Sequence, residues 1–281
     1  MRRLPTPDVT CVEILDLCAS SVRDLDLKQG IQHAKGVVEA AEQAYRKKGQ
    51  SAELYSIKGT KNVGKCLSGK QMERVYNGTF VKSSKTRDIY AKLKRACVND
   101  ICPLCGQRTV RQLDHYLPIT SFPVFGLAAI NLVPACSDCN KDKLVHMPST
   151  AGEQTIHPYF DNVDGEQWLF GKVVESIPAA VTFFVKTPAA WSEMQAERMR
   201  THFRVFRLGA LYATHAAVEI GNIRFQLAKI AAAADSAHRI SAHLRERAES
   251  CAHVYQNSWQ RATFDALADS EWFCSGGFAA M

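Results

Sequence analysis

Two pairs of cysteines constrain the fold of this chain more than any other feature. The first pair, Cys102 and Cys105, lies in CPLCG, and the second pair, Cys136 and Cys139, lies in CSDCN. Four thiolates that converge form the closed tetrahedral site that structural zinc occupies in proteins. Thirty residues separate Cys105 from Cys136, so the loop that the zinc closes has room for secondary structure. We therefore predict a structural Zn²⁺ site made of these four cysteines.

The loop between the pairs holds the polar residues of interest. Short strands are predicted at residues 109–113 and 129–134, and a short helix is predicted to begin at the second cysteine pair. Asp114 and His115 follow the first strand, Asn131 lies in the second, and Asn140 lies on the helix. The sequence thus predicts a strand–strand–helix unit whose two ends are joined by zinc.

These motifs resemble those of the HNH (ββα-metal) endonucleases. The resemblance rests on CPLCG, LDHYLP, NLVPACSDCNKDK and the downstream HPYFD, and it is most specific over residues 101–143. The first His of the family motif matches His115, the middle Asn matches Asn131, and Asn140 stands where the family most often has a second His. The resemblance implies an α+β fold in which an HNH module with structural zinc is flanked by helical N-terminal and C-terminal regions.

The chemistry of phosphodiester hydrolysis assigns a role to each of these residues. A His that titrates near neutrality suits proton abstraction from water, so His115 is the expected general base. Carboxylate and amide oxygens are hard ligands, so Asp114 and Asn140 are expected to hold a catalytic Mg²⁺ or Mn²⁺. The family pattern implies that Asn131 orients the His115 ring by hydrogen bonding. Lys143, one helical turn beyond Asn140, is expected to meet a phosphate.

Asparagine binds a metal more weakly than imidazole, so a further ligand is expected near Asn140. His146, His157 and Asp161 are the candidates, and His157 in HPYFD is the preferred one. Its competing interpretation is a histidine held by its own loop. The whole region has a competing interpretation too: a structural zinc knuckle in which Asp114 and His115 form an ordinary turn.

Basic residues precede the first cysteine pair. Residues 82–95 contain six Lys or Arg and one acid, and the whole chain has a net charge of +7. Lys92, Lys94 and Arg95, on a helix predicted to lie beside the site, are expected to contact the nucleic-acid backbone together with Lys143. The competing interpretation is a solvated helix face.

The remaining expectations concern organisation and setting. We predict an N-terminal helical region (residues 1–80), the nuclease module (81–161), and a C-terminal part (162–281) with strands at 166–174 and 180–186 and a long helical hairpin. Six of the ten cysteines are scattered, and no signal peptide is visible, which favours a reducing cytoplasmic setting. Three prolines interrupt the uncharged stretch 116–137, so no membrane association is expected.

The most favoured function is metal-dependent cleavage of DNA, with RNA still open as a substrate. Resemblance to stand-alone bacterial HNH proteins further implies an anti-phage defence role beside a partner ATPase. Homo-oligomerisation is left open. The alternative from a different class is a non-catalytic, zinc-stabilised nucleic-acid-binding or adaptor subunit.

Overall fold

A computed structural model describes residues 2–144 and 147–279 and shows an α+β protein. The chain divides into two compact units, Met1–Asn162 and Val163–Met281. The first unit contains both the predicted N-terminal helical region and the predicted nuclease module. The division after residue 162 lies next to the predicted start of the C-terminal part at residue 162.

The first unit begins with two helices, α1 (Cys11–Ser21) and α2 (Leu25–Gln50). Thr10 caps α1 through a capping box with Glu13, and Asp24 caps α2 by accepting a hydrogen bond from the amide of Leu27 at 3.1 Å. Apolar residues recur every three or four positions along α2, which gives the helix one buried face. This face carries Tyr45, which takes part in the site described below.

Short elements connect α2 to the cysteine-rich segment. The strands β1 (Asn62–Val63) and β2 (Leu67–Ser68) pair with each other and lead into α3 (Gly69–Val75). A π-helical turn over Tyr76–Phe80 follows α3, and α4 (Arg87–Lys94) comes next. One hydrophobic core runs through all of these elements and into the cysteine-rich segment; its members include Ile14, Leu15, Ile31, Val38, Met72, Phe80, Leu93, Leu113 and Leu132.

A strand–strand–helix unit follows, in the predicted order. The strand β3 (Gln112–His115) pairs antiparallel with β4 (Leu132–Ala135), and α5 (Ser137–Lys143) follows directly. In this register Asp114 lies opposite Val133, and His115 lies opposite Leu132. Each strand begins about three residues later than predicted, because Thr109 forms a bridge with Ile101 and residues 129–131 form a helical turn. The helix α4 packs against both strands, as predicted for the basic helix.

Over residues 163–279, the second unit contains one hairpin of strands and five α-helices. The strands β5 (Leu169–Val174) and β6 (Ala180–Val185) pair antiparallel, close to the predicted ranges. The helices that follow are α6 (Glu193–Val205), α7 (Leu208–Ala231), α8 (Ser236–Val254), α9 (Trp259–Ala268) and α10 (Glu271–Cys274). Where two long helices were predicted, the structure has three, because Arg207 takes a left-handed conformation (φ 50°) that ends α6. Among the described residues, no helix combines the length and apolarity that a membrane crossing requires.

Candidate metal centre and adjoining polar site

The four cysteines of the two pairs come together as predicted. All four are buried, and their sulfur atoms lie within 4.8 Å of one another. A tetrahedral zinc with Zn–S bonds of 2.3 Å separates its sulfur ligands by roughly 3.8 Å, so the spacing suits a bound ion. In residues 2–144 and 147–279, this is the sole cluster of three or more His, Cys, Asp or Glu side chains with metal-ligand spacing. The four cysteines can therefore hold a structural metal such as zinc.

Backbone groups around the sulfurs support the same conclusion. The amide of Arg108 points to Sγ of Cys105 at 3.4 Å, and the amide of Cys139 points to Sγ of Cys136 at 3.3 Å. Such N–H donors stabilise negative charge on sulfur, which a metal-binding thiolate needs. Each turn thus supplies one backbone N–H donor to one of its own sulfur atoms.

Gly106 makes the first turn possible. Its φ is +64°, in the left-handed region that suits glycine, and its amide donates to the carbonyl of Cys102 at 2.8 Å. The second turn is a helix start, because Cys136 is the N-cap of α5. An ion pair between Arg108 and Asp138 at 2.9 Å joins the two turns. A metal held here fixes the start of α5 beside the loop that leads to β3.

Asp114 lies at the end of β3, where it is mostly buried and paired with Lys143. Nζ of Lys143 lies 3.0 Å from Oδ2 of Asp114 and donates a hydrogen bond to the carbonyl of His115 at 2.8 Å. Burial raises the pKa of Asp114, and the Lys143 ammonium opposes this shift. Only 4% of the Lys143 side chain is exposed, so the phosphate contact predicted for it would require the ammonium to leave Asp114.

His115 is buried with one ring nitrogen committed to the protein. Its Nε2 lies 2.9 Å from the carbonyl oxygen of Gly126, which accepts hydrogen bonds only, so Nε2 carries the proton and Nδ1 the lone pair. In the described part of the chain, the ring of His115 makes no hydrogen bond other than the one at Nε2. Burial lowers the pKa of His115 to about 4. The imidazole is therefore neutral at pH 7 and presents Nδ1 as a base.

Asn131 does not orient the His115 ring as predicted. It instead fixes the loop whose carbonyl orients that ring. Its Oδ1 accepts from the amide of Leu117 at 2.8 Å, and its Nδ2 donates to the carbonyls of Leu117 at 3.1 Å and Phe125 at 3.3 Å. The described structure contains no hydrogen bond between Asn131 and His115. Because Phe125 precedes Gly126, Asn131 holds in place the segment whose carbonyl orients the His115 ring.

His157 is likewise tied to this loop rather than placed as a free ligand. Its Nδ1 accepts from the amide of Tyr159 at 3.2 Å, so its Nε2 carries a proton and donates to the hydroxyl of Tyr45 at 3.1 Å. The Tyr45 hydroxyl in turn donates to Oδ1 of Asn131 at 3.0 Å. Both ring nitrogens are engaged by protein groups, which replaces the metal contact predicted for His157.

The other two candidates for that contact are Asp161 and His146. Oδ2 of Asp161 accepts from the backbone amide of His157 at 2.6 Å. His146 lies outside the described residues.

Asn140 lies on α5, one helical turn before the lysine that pairs with Asp114. It precedes Lys143 by three residues, so the two side chains share one side of the helix. Asn140 is half-buried, and within residues 2–144 and 147–279 no group hydrogen-bonds to its side-chain amide. Oδ2 of Asp114, for its part, accepts no regular hydrogen bond from the described residues beyond its ion pair. One carboxylate and one amide suit Mg²⁺, which retains water and takes its other ligands from phosphates.

The predicted nucleic-acid contacts divide into paired and unpaired cations. Nζ of Lys92 lies 2.7 Å from Asp8, so its charge is already balanced. Lys94 is half-buried and Arg95 is exposed at the end of α4, and neither forms an ion pair with a described residue. Lys94 and Arg95 therefore carry the local positive charge beside the strands.

Comparison with known proteins supplies a relative that aligns with nearly the whole chain. The chain is similar to protein ea31 of Escherichia phage lambda. The two share 27% identity over 298 residues, which cover 98% of this chain and all of ea31. The similarity therefore spans both compact units rather than the cysteine-rich segment alone. No family model matches the chain, and no solved structure does.

Three residues that support the site carry no sequence motif. Tyr45 reaches Asn131 from α2, and Gly126 supplies the carbonyl that orients His115. The ring of Tyr76 packs edge-on against the His115 ring, with centroids 4.4 Å apart, while its hydroxyl donates to the carbonyl of Leu113 at 3.3 Å. The apolar spacing along α2 indicated a buried face for Tyr45, but its polar partner lies 86 residues away.

Proposed function

We propose that this protein is a metal-dependent endonuclease of the HNH type that hydrolyses phosphodiester bonds of nucleic acid, with DNA as the expected substrate. The observation that carries the proposal is the state of His115. Its Nε2 is committed to a fixed carbonyl, and no described group hydrogen-bonds to its Nδ1. Burial lowers its pKa to about 4, below the near-neutral value that suits a general base, so the orientation of the ring and not its basicity supports this role.

The metal ligands proposed beside this base are Asp114 and Asn140. Both are hard oxygen donors, and both retain lone pairs that no described group uses fully. A bound Mg²⁺ or Mn²⁺ supplies charge neutralisation at the scissile phosphate and at the leaving oxygen. His115 takes the proton of the attacking water at Nδ1. Lys94 and Arg95 offer positive charge for the flanking backbone, in agreement with the net charge of the chain.

The four cysteines are assigned a structural Zn²⁺. Because Cys136 caps α5, the zinc holds the helix that carries Asn140. The two metals thus have separate tasks: one maintains the strand–strand–helix unit, and the other acts at the phosphate. The defence role and the partner ATPase remain expectations of the family resemblance.

The test is incubation of purified, zinc-loaded protein with supercoiled plasmid, single-stranded DNA and RNA, with and without added Mg²⁺ or Mn²⁺. Omitting the added metal is a better control than EDTA, because EDTA also removes zinc. His115→Ala should lose cleavage. The matched variant His33→Ala, at an exposed position of α2, should keep it.

Two outcomes would contradict the proposal. Equal cleavage by His115→Ala and the wild type would remove His115 from the chemistry. If the zinc-loaded wild type cut none of the three substrates yet retarded them in a gel, the zinc-stabilised binding subunit would replace the nuclease.

A further inference from the structure

We propose that Lys143 is a built-in competitor of the catalytic divalent metal: its ammonium occupies the carboxylate of Asp114, and metal binding displaces it. This inference rests on the proposed function, because it takes Asp114 as a ligand of that metal. It adds a regulatory step that the function alone does not require. Binding of the metal at Asp114 and release of the Lys143 ammonium would then occur together.

The contacts of Lys143 are those of a buried counter-ion. Its Nζ lies 3.0 Å from Oδ2 of Asp114 and 2.8 Å from the carbonyl oxygen of His115. Only 4% of the Lys143 side chain and 10% of the Asp114 side chain are exposed. Lysine is seldom buried without a partner, so the pair is a specific arrangement rather than a chance surface contact.

Charge makes the ammonium and a divalent ion alternatives. A Mg²⁺ ion on the Asp114 carboxylate would lie about 2.1 Å from its oxygen, within a few ångströms of the ammonium. In a site this buried, repulsion between like charges is much stronger than in water. The Asp114 carboxylate also carries only one negative charge, which the ammonium and the divalent ion would have to share. Metal binding therefore weakens the hold on Lys143, and Lys143 weakens the binding of the metal.

The position of Lys143 makes its release feasible. Lys143 is the last residue of α5, and the last turn of a helix frays more readily than its middle. Its four-carbon side chain allows the ammonium to move away from Asp114 without moving Asn140. Asn140 lies one turn earlier on the same face. A released ammonium would thus stand beside the metal ligands and be able to meet a phosphate once the metal has arrived.

The first experiment measures Mn²⁺ affinity by electron paramagnetic resonance on zinc-loaded full-length protein, which does not depend on cleavage. Lys143→Met should bind Mn²⁺ about tenfold more tightly than the wild type, since a competing charge has been removed. Lys141→Met, at an exposed position of the same helix, should bind as the wild type does. Asp114→Asn should abolish the tight site.

A second experiment uses the wild type alone, in case Lys143→Met leaves Asp114 unpaired and unfolds the chain. Lysine acetylation read by mass spectrometry should find Lys143 protected without Mn²⁺ and labelled with saturating Mn²⁺. Lys141 should be labelled under both conditions. A Lys143 that stays protected in saturating Mn²⁺ overturns the proposal, as does equal or weaker Mn²⁺ binding by a folded Lys143→Met.

The two failures are distinguishable. If Asp114→Asn binds Mn²⁺ as tightly as the wild type, the metal is not at Asp114, and the proposed catalytic site is wrong together with the competition. If Asp114→Asn loses the tight site while Lys143→Met gains no affinity, the metal site stands and only the competition fails.

Discussion

Replacing Tyr45 with Phe should destabilise the first unit selectively, because its hydroxyl connects two buried polar groups. Tyr45 is fully buried; it donates to Asn131 and accepts from Nε2 of His157. The substitution removes one net hydrogen bond, about 1 kcal/mol, and leaves the Nε2–H of His157 buried without an acceptor, about 2 kcal/mol more. We expect the free energy of unfolding of the first unit to fall by about 3 kcal/mol.

Urea unfolding can measure this loss separately for the two units. All four tryptophans lie in Val163–Met281, so tryptophan fluorescence follows the second unit, whereas hydrogen exchange of peptides from residues 2–144 follows the first. With a denaturant slope of about 2 kcal/mol per molar, the urea midpoint of the first unit should fall by about 1.5 M. The fluorescence transition should not move.

The matched control is Tyr90→Phe. Tyr90 is half-buried in the same unit and packs edge-on against Phe80, but its hydroxyl makes no hydrogen bond to a described residue. Its midpoint should stay close to that of the wild type. A shift of less than about 0.3 M for Tyr45→Phe, or an equal shift for both variants, would refute the view that the Tyr45 hydroxyl holds the Asn131 loop.

Three further perturbations test the rest of the site. Burial lowers the pKa of His115 to about 4 from about 6.5 in the unfolded chain, so its contribution to stability is complete above pH 6.5 and is lost as the pH falls toward 4. Relative to His115→Gln, the free energy of unfolding of the wild type should fall by about 2.5 kcal/mol between pH 7 and 4.5. An equal dependence of stability on pH in both proteins would contradict this. Gly126→Ala should lower the melting temperature and the cleavage rate, because its Cβ would lie 2.8 Å from the Ile119 side chain, whereas Gly78→Ala, with nothing within 4 Å, should change neither. Cys139→Ser should lose zinc as measured by mass spectrometry while Cys66→Ser retains it; zinc retention by both would exclude the four-cysteine site.

The parts of the site predicted correctly are those set by local spacing. Short segments encode the two cysteine pairs with two residues between their members, a strand close to Asp114 and His115, and a helix that begins at the second cysteine pair. Strand limits were less accurate, since Thr109 pairs with Ile101 and not with β4. That pairing depends on how the first cysteine turn closes, and no pattern of apolar residues encodes it.

The parts that could not be predicted depend on contacts between distant segments. The link from Tyr45 to Asn131 spans 86 residues, and the acceptor for His115 is a main-chain carbonyl that any residue could supply. Lys143 was expected to meet a phosphate, and only the fold shows that its side chain is buried against Asp114. Arg207 ended a helix without Gly or Pro as a signal.

The shared core of the first unit bears on how such a site is dissected or transplanted. A fragment spanning residues 81–161 would keep the four cysteines of the metal centre and every proposed ligand. It would lose Tyr45 and Tyr76, which contact Asn131 and His115, and it would lose the residues of the first three helices that share one hydrophobic core with Leu113 and Leu132. The strand–strand–helix unit therefore cannot be transferred to another chain by itself. A transfer would succeed only if the N-terminal helices were included.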